Sequence, residues 1–78
     1  MKNEIEPVFI LKKKYRPAMR IRLLRMDDYR ALPSGTLGTV VGVDDIGSIM
    51  MRWDNGSTLS LIPGIDDFEI VNEPKDYE

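Results

Sequence analysis

Two hydrophobic periods divide the chain. Between Pro7 and Tyr15 the apolar positions Val8, Leu11 and Tyr15 recur at i, i+3 and i+7, one face of a helix. Proline suits a first helical turn, where its missing N–H costs nothing. Lys12, Lys13 and Lys14 would fill the last turn, where cations favour the helix dipole. The spacing predicts a short helix over about residues 7–15. The β-branched Val8 and Ile10 would also suit a strand, so that alternative stays open. Pro17 ends the segment and pushes Arg16 into an extended conformation.

From Arg20 the period becomes two. Arg20-Ile21-Arg22-Leu23 alternates charge with apolar side chains, as a half-buried strand does. A loop from Met26 to Gly35 follows, closed by Leu32-Pro33-Ser34-Gly35. Thr36 to Val43 reads as a second strand. Gly38 and Gly42 would weaken it unless they mark a bulge or bend. Val40 and Val43 are three apart, which fits a bulge between them. Asp44 to Gly47 is of hairpin length. Ile49, Met51 and Trp53 alternate with Met50 and Arg52 on a third strand. Asp54-Asn55-Gly56 is a tight-turn signal, since Asn and Gly tolerate positive φ. Ser57 to Ile62 reads as a fourth strand, Pro63 to Asp67 as a single helical turn, and Phe68 to Val71 as a last strand.

Five short strands over about fifty residues make a small barrel and are too few for a two-sheet sandwich. The expected architecture is mainly β: a five-stranded SH3-like barrel over 20–71, preceded by a leader (1–19) with the short helix and followed by an acidic tail (72–78). The expected core is Ile21, Leu23, Val40, Val43, Ile49, Met51, Trp53, Leu59, Leu61, Ile65, Phe68 and Ile70.

Composition narrows the chemistry. The 78 residues contain no cysteine and no histidine. That removes disulfides, thiolate metal sites, and the commonest general base. The four residues Val8 to Leu11 form the longest apolar run, far short of the roughly 18 a membrane span needs. With no export signal, the cytoplasm is the expected compartment. The net charge of −2 hides an asymmetry. Residues 12–30 carry eight bases against Asp27 and Asp28, whereas residues 31–78 carry two bases against nine carboxylates. Such a split marks either a basic face for an anionic partner or neighbouring strands that neutralise each other.

Residues 20–71 resemble a small bacterial family, domain of unknown function 4314. The stretches that carry the likeness are Arg20-Ile21-Arg22-Leu23, Met26-Asp27-Asp28, Pro33-Ser34-Gly35-Thr36, Gly38-Thr39-Val40, Val43-Asp44-Asp45-Ile46-Gly47, Arg52-Trp53-Asp54-Asn55-Gly56 and Leu59-Ser60-Leu61-Ile62-Pro63-Gly64. Tyr15 and Pro17 match an element before the first strand. The family's Tyr-Pro-x-Gly-Thr leader reads Tyr15-Arg16-Pro17-Ala18-Met19 here, without the glycine. The loop after Asp28 is shorter and lacks an early proline, and Leu37 stands where the family often has glutamate. The resemblance implies an SH3-like barrel carried on bacterial phage, plasmid or conjugative segments. It implies no activity and assigns no catalytic residues.

Each candidate site competes with a structural use of the same residues. Ser34, Ser48, Ser57 and Ser60 have no histidine to activate them, so no catalytic residues and no enzyme are expected. Three Asp-Asp pairs, 27–28, 44–45 and 66–67, sit at strand ends. Carboxylates there cap turns more readily than they converge on a metal, so neither metal nor cofactor is expected. Trp53 belongs with the core by its alternation, although an indole also serves as a binding platform. Tyr29, in the long loop, is either an exposed contact or a residue on which the loop packs. The chain has no Ala-Leu-Tyr-Asp-Tyr segment and no tandem tryptophan, which argues against proline-rich ligands.

The expected binding residues are Lys12, Lys13, Lys14, Arg16, Arg20 and Arg22, with Tyr29 and Met50 as exposed apolar contacts. The function expected from these features is a non-enzymatic interaction module, a protein-binding accessory factor of a mobile element. Nucleic-acid binding through residues 12–25 is the alternative, set against a sequence pI of about 5.1. No membrane partner is expected, and the partner's identity and the oligomeric state are open.

Overall fold

A computed structural model describes residues 6–72. One helix, α1 (Val8–Lys14), precedes four strands: β1 (Arg20–Arg25), β2 (Leu37–Val43), β3 (Ile49–Trp53) and β4 (Asp67–Asn72). The strands form one antiparallel sheet in the order β3-β2-β1-β4. The fold is therefore mainly β with one short helix. The ladder has four strands with β3 and β4 at its ends, and it does not close on itself.

The expected fourth strand is the main correction. Residues 57–62 run beside β3 but join it by a single bridge, Ile49 to Leu61. Those two residues exchange both backbone bonds, at 2.8 and 2.9 Å, and the Trp53 N–H reaches the Ser57 carbonyl at 2.9 Å. Between these points Leu59 bonds elsewhere. Its carbonyl accepts the Trp53 indole N–H at 2.8 Å, and its N–H donates to Ser57 Oγ at 3.2 Å. A side chain and a local hydroxyl have replaced the ladder, as Ser side chains can do beside a turn.

The β2 bulge lies where the valine spacing put it, with a register shift between Val40 and Gly42. It turns both Val40 and Val43 inward. Gly38 has a different reason. It pairs with Trp53, and a Cβ there would lie 2.6 Å from Trp53 Cε3. The indole thus lies flat over β2 only because that position lacks a side chain. In the 54–56 turn only Gly56 adopts positive φ, at +94°. Its N–H bonds back to the Trp53 carbonyl at 2.9 Å, which makes the loop a three-residue type with glycine in the left-handed position.

The core comprises Leu11, Met19, Ile21, Leu23, Met26, Val40, Val43, Ile49, Met51, Trp53 and Leu61, with Val8, Tyr15, Leu32, Leu59 and Phe68 packed against it. The leader is part of this core through Leu11 and Met19. Tyr15 meets Phe68 edge-on at 5.6 Å between centroids. Two expected core residues are corrected. Ile65 is 48% exposed and Ile70 is 41% exposed. Ile65 lies in the turn before β4, and Ile70 lies on a strand that is exposed along nearly its whole length. The expected last strand also gains Asp67 and Asn72. The rest of the expected tail, 73–78, lies outside the described residues.

Candidate functional site

The expected basic residues are brought to several places and mostly paired. Lys12 faces Asp45 at 3.6 Å, tying α1 to the turn between β2 and β3. Lys14 donates to Glu6 at 2.9 Å, and that bond raises the lysine's affinity for its proton above the ordinary value. Arg20 makes a two-pronged contact with Asp54, at 2.8 and 2.6 Å, and its Nη1 also reaches Thr39 Oγ1 at 2.8 Å. The guanidinium holds the Asp54 carboxyl below the usual carboxylate range. Arg22 pairs with Glu69 at 2.5 Å and Arg25 with Asp67 at 3.5 Å, both across the β1–β4 ladder. The Arg16 N–H donates to Met19 Sδ at 3.1 Å. Among the described residues, Lys13 and Arg52 enter no ion pair with another described residue. Opposite charges separated along the sequence are therefore neighbours in the fold.

Tyr29 is 95% exposed, with the Arg30 guanidinium 5.5 Å from its ring centre. Met50 stands on β3 opposite Gly42, where its methyl would lie 3.4 Å from any added Cβ. Neither residue lines either of the two concave regions described below, and no lysine does.

The aspartate pairs act in turns. Asp28 Oδ1 accepts the Arg30 N–H at 2.8 Å, and that bond holds its carboxyl below the ordinary range. Asp44 Oδ1 accepts the N–H groups of Ile46 and Ser48, at 3.1 and 2.8 Å. Asp66 is 7% exposed, and it joins two segments: Oδ1 accepts the Asp27 N–H at 2.9 Å and Oδ2 the Ile62 N–H at 2.8 Å. Among the described residues no three acidic groups converge in a way that would hold a metal ion.

Two concave regions stand out among the described residues. One, of about 660 Å³, lies between the long loop and residues 57–60. It is open and hydroxyl-rich, with Ser48, Ser57, Thr58 and Ser60 beside Asp28 and Arg30. The other, of about 650 Å³, lies between the start of α1, the 44–48 turn and the turn leading to β4. Its wall is largely apolar: Pro7, Val8, Leu11, Ile46, Ile62, Pro63 and Ile65. Ile46 is 85% exposed at the tip of its turn, held out by the Asp44 bonds and by Gly47 at φ +91°. Gly47 is also tight against α1, since a Cβ there would lie 3.3 Å from Leu11 Cδ1. The backbone thus brings helix and turn together while lifting an isoleucine into water.

None of these groove residues was expected from the sequence, although one signal was available. A turn of the form Asp-Asp-x-Gly calls for a polar residue at x, and Ile46 occupies it. A lone exposed isoleucine is ordinary, but Ile46 stands with the exposed Ile62 and Ile65, and a grouped apolar patch marks an interaction surface.

The class of protein so defined is a small mainly β domain with a helix packed at one end and an apolar groove beside that helix. Among the described residues no helix is long and apolar enough to cross a membrane. The chain belongs to the family described as Domain of unknown function (DUF4314), whose sequence model matches residues 4–71. No match to a curated protein was found.

Proposed function

We propose that the protein is a non-enzymatic interaction module that docks a partner protein in the groove between α1, the 44–48 turn and the turn before β4. The observation that carries this reading is Ile46, largely exposed to solvent beside the half-exposed Ile62 and Ile65. Three isoleucines converging on one concavity form an anchor site of the kind that fills with an aliphatic or aromatic side chain. The one charged residue lining the groove, Glu6, is paired with Lys14, so the fit is one of shape and apolar area. Neither concavity holds a histidine or cysteine, because the chain has none, so their serines lack the commonest activating base. The order of long loop, meander, helical turn and last strand returning to β1 supports an SH3-like arrangement. The family resemblance extends the reading to an accessory factor of a bacterial mobile element.

The test is retention of protein from a bacterial lysate on the immobilised chain, compared with an Ile46→Asp, Ile65→Asp variant. A band kept by the natural sequence and lost by the variant supports the reading. Equal retention by both, or none by either, contradicts it.

The nucleic-acid alternative draws on Lys12 to Arg25. Phosphate binding needs several uncommitted cations on one face, and Lys12, Lys14, Arg20, Arg22 and Arg25 are each engaged by a carboxylate. A gel shift at low salt that is abolished by charge reversal at Lys13, Arg20 and Arg22 would restore it.

A further inference from the structure

The hydroxyl-rich concavity has an unused backbone edge along one wall. Residues 57–61 turn the Ser57 carbonyl and both main-chain groups of Leu61 to β3. Leu59, on the same side, bonds the Trp53 indole and Ser57 Oγ. The intervening Thr58 and Ser60 present their main-chain groups to the other side, as alternate residues of a strand do. Among the described residues, the N–H and C=O groups of these two make no hydrogen bond. Both residues are exposed, and both line the concavity. Such a row of free donors and acceptors is a template for a further strand. Its two rungs, about 6.7 Å apart in a strand, match the two-residue repeat of a peptide main chain.

The other wall selects the side chains. It comes from the long loop, through Asp28, Arg30 and Leu32. Asp28 Oδ1 takes the Arg30 backbone N–H at 2.8 Å and lies 3.5 Å from Arg30 Nε. Among the described residues, that leaves both Nη groups of Arg30 and Oδ2 of Asp28 unbonded. The wall thus shows donors and an acceptor side by side, with no net charge. A carboxylate entering here would meet Asp28, and an ammonium would meet Arg30. A carboxamide answers both: its oxygen accepts from Nη and its NH2 donates to the carboxylate. We infer that the concavity accepts, by strand addition along Thr58 and Ser60, an extended partner segment whose side chains toward the long loop are glutamine or asparagine. Main-chain bonds supply the affinity, and the carboxamides supply the choice of partner. Ser48 and Ile62 line both this concavity and the apolar groove, but the inference does not rest on the groove reading.

The experiment titrates an end-blocked hexapeptide of alternating threonine and glutamine into the isotopically labelled chain and follows amide resonances. The expected shifts centre on Thr58, Ser60 and Arg30. Peptides with glutamate or lysine in place of glutamine should bind at least tenfold more weakly. Ser60→Pro deletes a ladder donor that the free chain does not use, and it too should weaken binding at least tenfold. Resonances of β1 to β4 at their natural positions show that this variant is folded. Arg30→Gln, at an exposed loop position, should weaken the glutamine peptide while narrowing its advantage over the glutamate one. Unmoved Thr58 and Ser60 resonances at millimolar peptide would overturn the inference. Equal binding of the three peptides, or undiminished binding by folded Ser60→Pro, would do the same. Shifts confined to the Ile46 groove would also overturn it, while leaving the groove reading intact. A single-stranded oligothymidylate that moves these amides where the peptide does not would assign the concavity to nucleic acid instead.

Discussion

β3 and β4 end the same sheet, yet only β3 is built into the core. β3 alternates buried and exposed through all five residues, and its outer side is covered, however loosely, by residues 57–61. β4 has one half-buried residue, Phe68, and five exposed ones. Their sequences do not differ enough to announce this. Ile-Met-Met-Arg-Trp and Asp-Phe-Glu-Ile-Val-Asn both place apolar side chains at intervals of two. Position in the sheet makes the difference: β3 lies across the indole-filled interior, whereas β4 extends the sheet outward beyond β1. Alternation reports that a strand can bury one face, and it cannot report whether anything lies opposite that face.

The largest expected effect breaks the β3 side. Trp53→Ala removes the biggest fully buried side chain and the donor to the Leu59 carbonyl. It should cost about 3–5 kcal/mol in denaturant unfolding, a large share of a small domain's total. Gly38→Ala reaches the same indole from below and should cost about 1–3 kcal/mol by overpacking. A milder outcome for either would mean the interior is less tightly fitted than its distances imply.

Next comes the tie to the β4 side. Asp66→Ala leaves the part-buried N–H groups of Asp27 and Ile62 without their acceptor and removes a buried side chain that joins two segments. A loss of about 1–3 kcal/mol is expected. Hydrogen exchange should quicken first in the 62–66 turn and β4, with β2 and β3 less affected. Uniform acceleration would show that the two sides do not differ in local stability.

Ala18→Gly should move stability the other way. Ala18 holds φ at +79°, the only non-glycine among the described residues in that region, while its N–H bonds the Val40 carbonyl at 2.9 Å. It occupies the leader position where the resemblance implies that glycine is common. Relieving the strain should add about 1 kcal/mol, part of it offset by glycine's greater freedom in the unfolded chain. A lower melting temperature would contradict this.

The smallest effect is a pH slope. Arg20 holds the Asp54 carboxyl below its ordinary value in the folded chain. Stability from this pair is therefore present above the unfolded aspartate value and lost as pH falls through the depressed one. The natural chain should lose more stability on acidification than Asp54→Asn does. Equal losses would show the pair to be inert.

Much of the fold was legible in the residues. Ile21, Leu23, Ile49, Met51 and Trp53 alternate cleanly because both the sheet and its cover are present around them. The Val40–Val43 spacing carried the bulge. Met19 and Met26 were not legible, because an unbranched side chain fills gaps that only the assembled fold defines. Residues 57–62 carried a strand pattern, but the indole N–H and the Ser57 hydroxyl took the bonds of Leu59 that the ladder would have used. The charge asymmetry was plain, and its meaning was not. Pairings such as Arg20 with Asp54 are 34 residues apart and exist only after the hairpin closes. The groove escaped because it combines a helix, a turn and a second turn, none of which is apolar enough alone to draw notice.

The central claim is that Ile46 serves binding rather than folding. Denaturant unfolding of Ile46→Asp tests it most directly, because that side chain is 85% exposed and has no place in the core. The account predicts a midpoint within about 0.5 kcal/mol of the natural chain, with partner retention lost in the same sample. A loss of about 2 kcal/mol or more, of the size seen when core side chains are truncated, or undiminished retention at unchanged stability, would contradict it.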